Sequence, residues 1–344
     1  MTENEGKLSK RGWFINIILL VIILVVGLIM LASGLNEAFY SSSSTVRSIF
    51  KIITNLGEPI VFIVVVAVFF IAYDKKFAKN LAVSLMITVY INEFLKNIFK
   101  DPRPATNVDP DKITLPENPD GLVDPSYGFP SGHTQDAVGT WGYLAYHFKD
   151  KPKPLVIPII MSVIIFLVAI SRMIIGVHDL QDVLGGFSFG LVALLLFIYL
   201  EPIVSEKVNT LSLNVKILLL VVISVGLSLL GIFLFPTSGT DLLPTPVAFS
   251  DTGNFALFGG VILGFGIGYV LENEKIQYDP SKLNAKQKIL ALIIGLVLIF
   301  VLFFALEALK GVFDSVFYRF ARYALVGFVL AYILPLIFNK IWKN

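Results

Sequence analysis

Ten long apolar segments decide what this chain of 344 residues can fold into. They run over approximately 13–33, 55–73, 79–99, 133–148, 155–175, 180–200, 213–235, 254–272, 288–308 and 320–339. A transmembrane helix needs roughly 20 mostly apolar residues, so each segment is a candidate span. Only 15% of the residues are charged, against about 25% in a soluble domain. With a mean hydropathy of +0.81, the chain is expected to use the bilayer as its solvent. The expected fold class is all-α, a polytopic transmembrane helical bundle. The fourth segment is the weakest, being short and carrying Gln135 and Asp136, and the tenth starts softly near Arg319 and Arg322. The first run, Trp13 to Leu31, is too long for a signal-peptide core and reads as a retained span.

With the N-terminus inside, most of the 27 Lys and Arg residues fall in cytoplasmic segments, which the positive-inside rule favours. The polar stretch EPIVSEKVNTLSLNVK after the sixth segment marks a soft boundary between a six-helix front part, 1–205, and four additional C-terminal helices, 206–344. The longest polar stretch, 100–131, is rich in Pro and Asp and falls on the outer face in this topology. A long loop in a compact protein is more often functional than idle. Its carboxylates Asp101, Asp109, Asp111, Glu117 and Asp120 lack regular ligand spacing, so no metal is expected, and no other cofactor. The absence of cysteine excludes disulfides, thiolate chemistry and Cys-based zinc sites. Histidine chemistry must draw on His133, His147 and His178 alone.

Three clusters lie at the outer ends of segments. The first is Lys96-Asn-Ile-Phe-Lys-Asp-Pro-Arg103-Pro104. Pro102 should stop the third helix just before it, leaving Lys96 in the last turn and Arg103 in the emerging loop. Singly, the two cations also read as basic residues snorkelling at a membrane boundary. The second is Phe129-Pro130-Ser131-Gly132-His133, opening the fourth helix. Backbone N–H groups at such a helix start, with the positive end of the dipole, make an anion site. Ser131 by itself reads best as the helix cap. The third is Ser171-Arg172, then Gly176, His178 and Asp182. Gly176 permits a turn, and a helix puts His178 and Asp182, four apart, on one face. A carboxylate on one ring nitrogen fixes the tautomer and leaves the other to attack, although a plain i, i+4 polar pair has the same spacing. Taken together, two of three histidines, two arginines and a lysine on one membrane face fit a single task. They supply cations and backbone donors for a phosphoryl group, a nucleophile and a proton donor, and ionisable groups near spans are usually functional. Glu93, three before Lys96, and Asp136, three after His133, are candidates for supporting roles or for helix packing. His147, at the cytoplasmic end of the fourth segment, reads as an ordinary interfacial residue.

In these three motifs the chain resembles the type 2 phosphatidic acid phosphatase (PAP2) superfamily, whose pattern is K-x6-R-P, P-S-G-H and S-R-x5-H-x3-D. All three are matched in order, over roughly residues 90–190. The resemblance implies a six-helix core and a metal-independent lipid phosphatase. His178 would attack phosphorus to form a phosphohistidine, and Asp182 would orient it. His133 would protonate the leaving oxygen and then activate water. Lys96, Arg103, Ser131, Gly132 and Arg172 would bind the phosphate oxygens. The expected partners are a lipid phosphate substrate and the bilayer, not nucleic acid, and a homo-oligomer is compatible with this reading. Phosphatidic acid, phosphatidylglycerol phosphate, undecaprenyl diphosphate and a sphingoid-base phosphate all fit, because the motifs contact only phosphate. The rivals are a lipid phosphotransferase using the same histidine and a phosphorylated-lipid transporter. The location expected is a prokaryotic plasma membrane, with the active site facing outside.

Overall fold

A computed structural model of the chain describes residues 9–37, 39–101, 103–104, 126–149, 156–237, 254–309, 312 and 315–342. The helices are α1 (Lys10–Ala32), α2 (Ser44–Thr54), α3 (Pro59–Ala72), α4 (Lys75–Phe99), α5 (Gly132–Phe148) and α6 (Val156–Ile174). They continue as α7 (Leu180–Asn209), α8 (Leu213–Leu234), α9 (Phe255–Lys275), α10 (Ala285–Ala308), α11 (Val316–Phe328) and α12 (Leu334–Trp342). Among the described residues, eight helices are long and apolar enough to cross a membrane, or nine if one bent pair counts as a single span. The expected polytopic transmembrane helical bundle is what forms.

Three departures from the sequence reading have local causes. A separate helix, α2, precedes the expected second span, and a 3-10 turn at Asn55–Gly57 joins it to α3 across a bend of 44°. Pro59 disfavours helical geometry in the residue before it, and Glu58 is accordingly extended, with φ −79° and ψ 141°. Helix α7 does not stop near 200 but runs through Pro202 to Asn209, making its 30 residues about 45 Å long. Part of the stretch that reads as a polar connection is therefore helix. The last span, Val316–Trp342, contains a π-helical stretch at Val329–Ile333 just ahead of Pro335. A wider turn there accommodates a ring that would otherwise crowd the preceding carbonyl.

The chain forms two compact units, Met1–Phe62 with Ile87–Val204, and Ile63–Met86 with Ser205–Asn344. In the first, α5 and α7 meet backbone to backbone. A methyl group at Gly186 would lie 2.5 Å from the Ser131 carbonyl oxygen, and one at Gly190 would lie 2.8 Å from that of Gln135. Lipid tails are as apolar as leucine, so helices gain little by burying apolar faces, and close packing of small residues holds them together instead. Met173, Leu180 and Val183 pack with Met30 and Leu31, which ties α1 to the α6–α7 corner.

The second unit repeats the device. Gly260 and Gly264 of α9 lie against the carbonyls of Phe320 and Ala324 on α11, where an added methyl would come within 2.3 and 1.8 Å. One polar cluster is buried in it. Lys75 Nζ reaches both carboxylate oxygens of Glu272 at 2.7 and 2.6 Å, and the Tyr278 backbone N–H donates to the same carboxylate at 2.6 Å. Its three bonds satisfy a carboxylate that is fully buried.

Candidate active site

On α4, Thr88, Asn92 and Lys96 recur every four residues and so share one face. All three are buried. Lys96 Nζ donates to Ser126 Oγ at 3.1 Å and to the Tyr127 carbonyl. Arg103 Nε donates to the Ser126 carbonyl at 2.8 Å, and its Nη1 to that of Val177 at 3.2 Å. The two cations thus fasten the strand of chain that returns to α5, and Arg103 also reaches the α6–α7 corner.

Asn92 fixes the turn that follows. Its Nδ2 donates to the Pro130 carbonyl at 3.1 Å and to Gln135 Oε1 at 3.0 Å, while Gln135 Nε2 donates to the Thr88 carbonyl at 2.9 Å. A methyl at Gly132 would press on Asn92 Oδ1 at 3.1 Å. Ser131 occupies the N-cap position of α5 but makes no side-chain capping bond, contrary to the simplest expectation. Its hydroxyl instead accepts from Thr134 Oγ1 at 3.1 Å, and its backbone N–H donates to the Asp182 carbonyl at 2.9 Å. Gly186 is what allows α7 so close to Ser131.

At the end of α6 the chain turns through Gly176, whose φ of +83° is easy only for glycine. The N–H groups of Val177 and His178 close back on the Arg172 carbonyl. Arg172 itself is 2% exposed and donates through Nη1 to Thr54 Oγ1 at 2.9 Å. His178 follows, with Nδ1 2.9 Å from Asp182 Oδ2 and side-chain exposures of 2% and 1% for the pair. Burial pushes the pKa of His178 well below its ordinary value of 6.5, and the charges of Arg103, Arg172, Lys96 and His133 push it further the same way. Its ring is therefore held neutral, the form with a lone pair to give. Beside it, Asn36 Nδ2 donates to Asp179 Oδ2 at 2.8 Å, which ties the α1–α2 loop to this corner. Asp179 is raised, chiefly by burial. A small cavity here is lined by His178, Phe39, Tyr40, Pro104 and Met173, among others.

His133, one residue into α5, turns its Nε2 to Glu58 Oε1 at 2.8 Å. The turn carrying Glu58 is held at several points. Thr54 accepts from Arg172, the Leu56 carbonyl accepts from Trp141 Nε1 at 3.0 Å, and Gly57 lies against Val168 and His133.

The eight residues marked out by the motifs therefore come together at one end of this unit: His178, Asp182, His133, Lys96, Arg103, Ser131, Gly132 and Arg172. Of the two supporting candidates, Asp136 is buried on α5, bonded by Thr88 and within reach of the Lys96 charge, with Oδ1 lacking a hydrogen-bond partner. Glu93 accepts from Asn97 on its own helix at 3.2 Å. His147 packs edge-on against Phe148. Of the loop carboxylates, Asp101 accepts from Gln181 Nε2 at 3.2 Å, while Asp109, Asp111, Glu117 and Asp120 lie outside the described residues. Sequence reasoning missed Thr54, Glu58, Asn92 and Gln135. For Asn92 a signal was present, a polar residue one turn before Lys96 on an apolar helix. For Thr54 and Glu58 none was, because each meets its partner only across the fold.

Residues 77–204 match the PAP2 superfamily, and residues 256–343 match the PAP2 superfamily phosphatase, transmembrane extension. The chain belongs to the PAP2 superfamily. Phosphatidylglycerophosphatase B of Bacillus subtilis (strain 168) is 47% identical over 72 residues, which are 19% of this chain and 35% of that protein. Sphingosine-1-phosphate phosphatase 1 of Rattus norvegicus is 23% identical over 329 residues, 84% of this chain and 70% of that one. The chain spans only 33% to 38% of the length of the first three curated relatives it matches. Among solved structures, the crystal structure of the first transmembrane PAP2 type phosphatidylglycerolphosphate phosphatase from Bacillus subtilis matches with a TM-score of 0.41 and 24% identity. That match covers 54% of this chain and 96% of the other.

Proposed function

We propose that this chain is an integral membrane lipid phosphatase that hydrolyses a lipid phosphate monoester or diphosphate through a phosphohistidine, without a metal. One observation carries the reading. Lys96, Arg103, Arg172 and His133 gather at the end of the unit that holds a buried His178, whose Nδ1 lies 2.9 Å from Asp182 Oδ2. That leaves the Nε2 lone pair to attack phosphorus. The P–O bond to the lipid breaks, and its electron pair takes a proton from His133. Water then attacks the phosphohistidine and gives a proton back to His133, while the P–N electron pair returns to His178. The three cations, with Ser131 and the Gly132 N–H, bind the equatorial oxygens, in keeping with a reaction that is mostly positioning and charge stabilisation.

The substrate class rests on the superfamily match, since the small cavity beside the nucleophile is of mixed character, with Asn36, Glu37 and Asp179 among Phe39, Tyr40, Pro104 and Met173. Phosphatidylglycerol phosphate and sphingoid-base phosphates come first among the four candidates, because the relatives above are named for them. Residues 1–205 carry the chemistry in this reading, and 206–344 are an extension that guides lipid or makes contacts. The positive-inside distribution supports an active site on the outer face of a plasma membrane.

The test is phosphate release from a panel of lipid phosphates by the detergent-purified chain in EDTA, wild type beside His178→Ala. Release in EDTA that disappears in the variant is the expected result. If release needs an added alcohol acceptor, the chain is a phosphotransferase. If the chain binds the lipids but never releases phosphate, the transporter reading replaces this one.

A further inference from the structure

Glu58 lies in none of the three motifs, yet its carboxylate is the group paired with His133. We propose that Glu58 is a positioning residue for proton transfer, holding the His133 ring through Nε2 and stabilising its protonated form. The inference rests on the phosphatase reading above.

The backbone supports it first. Pro59 keeps Glu58 extended, and Thr54, Leu56 and Gly57 anchor the turn to Arg172, Trp141, Val168 and His133. A methyl at Gly57 would sit 3.2 Å from His133 Cβ and Cδ2, so the turn and the ring are already in contact. The carboxylate therefore hangs from a fixed mount rather than from a free loop.

The electrostatics ask for it. Several charged and titratable groups share this end of the unit with His133. They are Glu58 on the turn, Arg172 on α6, His178 in the α6–α7 corner, Asp182 on α7, Lys96 and Arg103 from α4 and the chain after it, and Asp136 on α5. His133 must carry a proton to the leaving oxygen among three permanent cations, which disfavour a fourth positive charge. Asp182 is committed to His178 and Asp136 to Thr88, so Glu58 is the carboxylate in contact with His133 that offsets them. An anion within hydrogen-bond distance favours the charged ring and fixes its orientation. In the transfer step, the P–O bond breaks, its electron pair takes the His133 proton, and Glu58 remains an unchanged carboxylate bonded to the ring.

The experiment compares kcat/KM for an alkyl lipid phosphate with that for p-nitrophenyl phosphate, whose leaving group departs without protonation. It uses wild type, Glu58→Gln, Glu58→Asp, His133→Ala and the double variant Glu58→Gln/His133→Ala. The expected result is a loss of roughly 10- to 100-fold on the alkyl substrate in Glu58→Gln, with less than about a threefold change on the aryl one. Glu58→Asp should recover part of the loss, and Glu58→Gln should cost nothing more once His133 is gone. Equal losses on both substrates, or a further loss in the His133→Ala background, would overturn the inference while the phosphatase reading stands. A gain in activity in Glu58→Gln would also overturn it, since the carboxylate would then be obstructing the ring. A wild-type chain that releases phosphate from neither substrate overturns the phosphatase reading, and this inference with it.

Discussion

The two histidine–carboxylate pairs use the same chemical parts in opposite settings. His178, in the bend just before α7, and Asp182, in the first turn of that helix, are four residues apart and almost wholly enclosed, with side-chain exposures of 2% and 1%. His133 and Glu58 are 75 residues apart and only partly buried, at 12% and 39%. The difference follows from the work proposed for each. A nucleophile gains from lost water, because burial and the surrounding cations keep its lone pair available. A proton donor that becomes a base for water must meet water in every cycle. One pair is therefore local and enclosed, the other assembled across the fold and partly exposed.

Breaking the enclosed pair should have the largest effects. Replacing His178 with Ala removes the proposed nucleophile, and phosphate release should fall roughly 10,000-fold or more in a single-turnover assay. Asp182→Asn keeps the shape but loses the charge that fixes the tautomer, with an expected loss of about 100- to 10,000-fold in kcat and little change in KM. A mainly KM effect would show that Asp182 serves binding instead.

The spacing between the pairs comes next. A methyl at Gly186 would press on the Ser131 carbonyl at 2.5 Å and push the Ser131–His133 turn away from His178. Gly186→Ala should lower kcat/KM roughly 10- to 100-fold, because displacements near 1 Å carry costs of that order. Thermal melting in detergent separates this from unfolding. A variant with full activity would mean that α5 and α7 can part without moving the turn.

The smallest effect concerns pH. Burial and the nearby cations hold His178 below its ordinary 6.5, and as the proposed nucleophile it would attack only when neutral, so activity should be lost only as pH falls through that lowered value. The acid limb of kcat/KM assigned to His178 should therefore lie below pH 6.5. Lys96→Met removes one of the cations that oppose protonation, and it should move that limb upward. A limb that stays put or moves down would sever the electrostatic link between Lys96 and His178.

What was legible in the sequence follows from how local each feature is. Among the described residues, nine of the ten expected spans are helices long and apolar enough to cross a membrane, counting the bent pair as one, because their apolar runs cover many consecutive residues. The fourth, α5, at 17 residues, falls short. The weak fourth segment was legible less by hydropathy than by Pro130–His133 at its start. The four-residue spacing of His178 and Asp182 pairs them on paper as neighbours on one helix face, but His178 lies in the bend before α7 and reaches Asp182 from outside the helix. The end of α7 was misplaced because charged residues look like a connection, and a single proline removes only one hydrogen bond from a helix. Glu93 is the charged neighbour of Lys96 along the chain, but Asn92 lies on the inward face.

By itself, then, the sequence determined the bilayer as solvent, most of the long helices, and which residue types gather near helix ends, since each depends on contacts within a few residues along the chain. Only the tertiary structure decided that Thr54 receives Arg172, that Asn92 clamps Pro130, that Ser131 leaves its cap unmade, and that Glu58 reaches His133. Those pairings bring together residues 38 to 118 positions apart, or depend on helices that glycine lets touch, and no periodicity encodes which distant side chain a helix will meet.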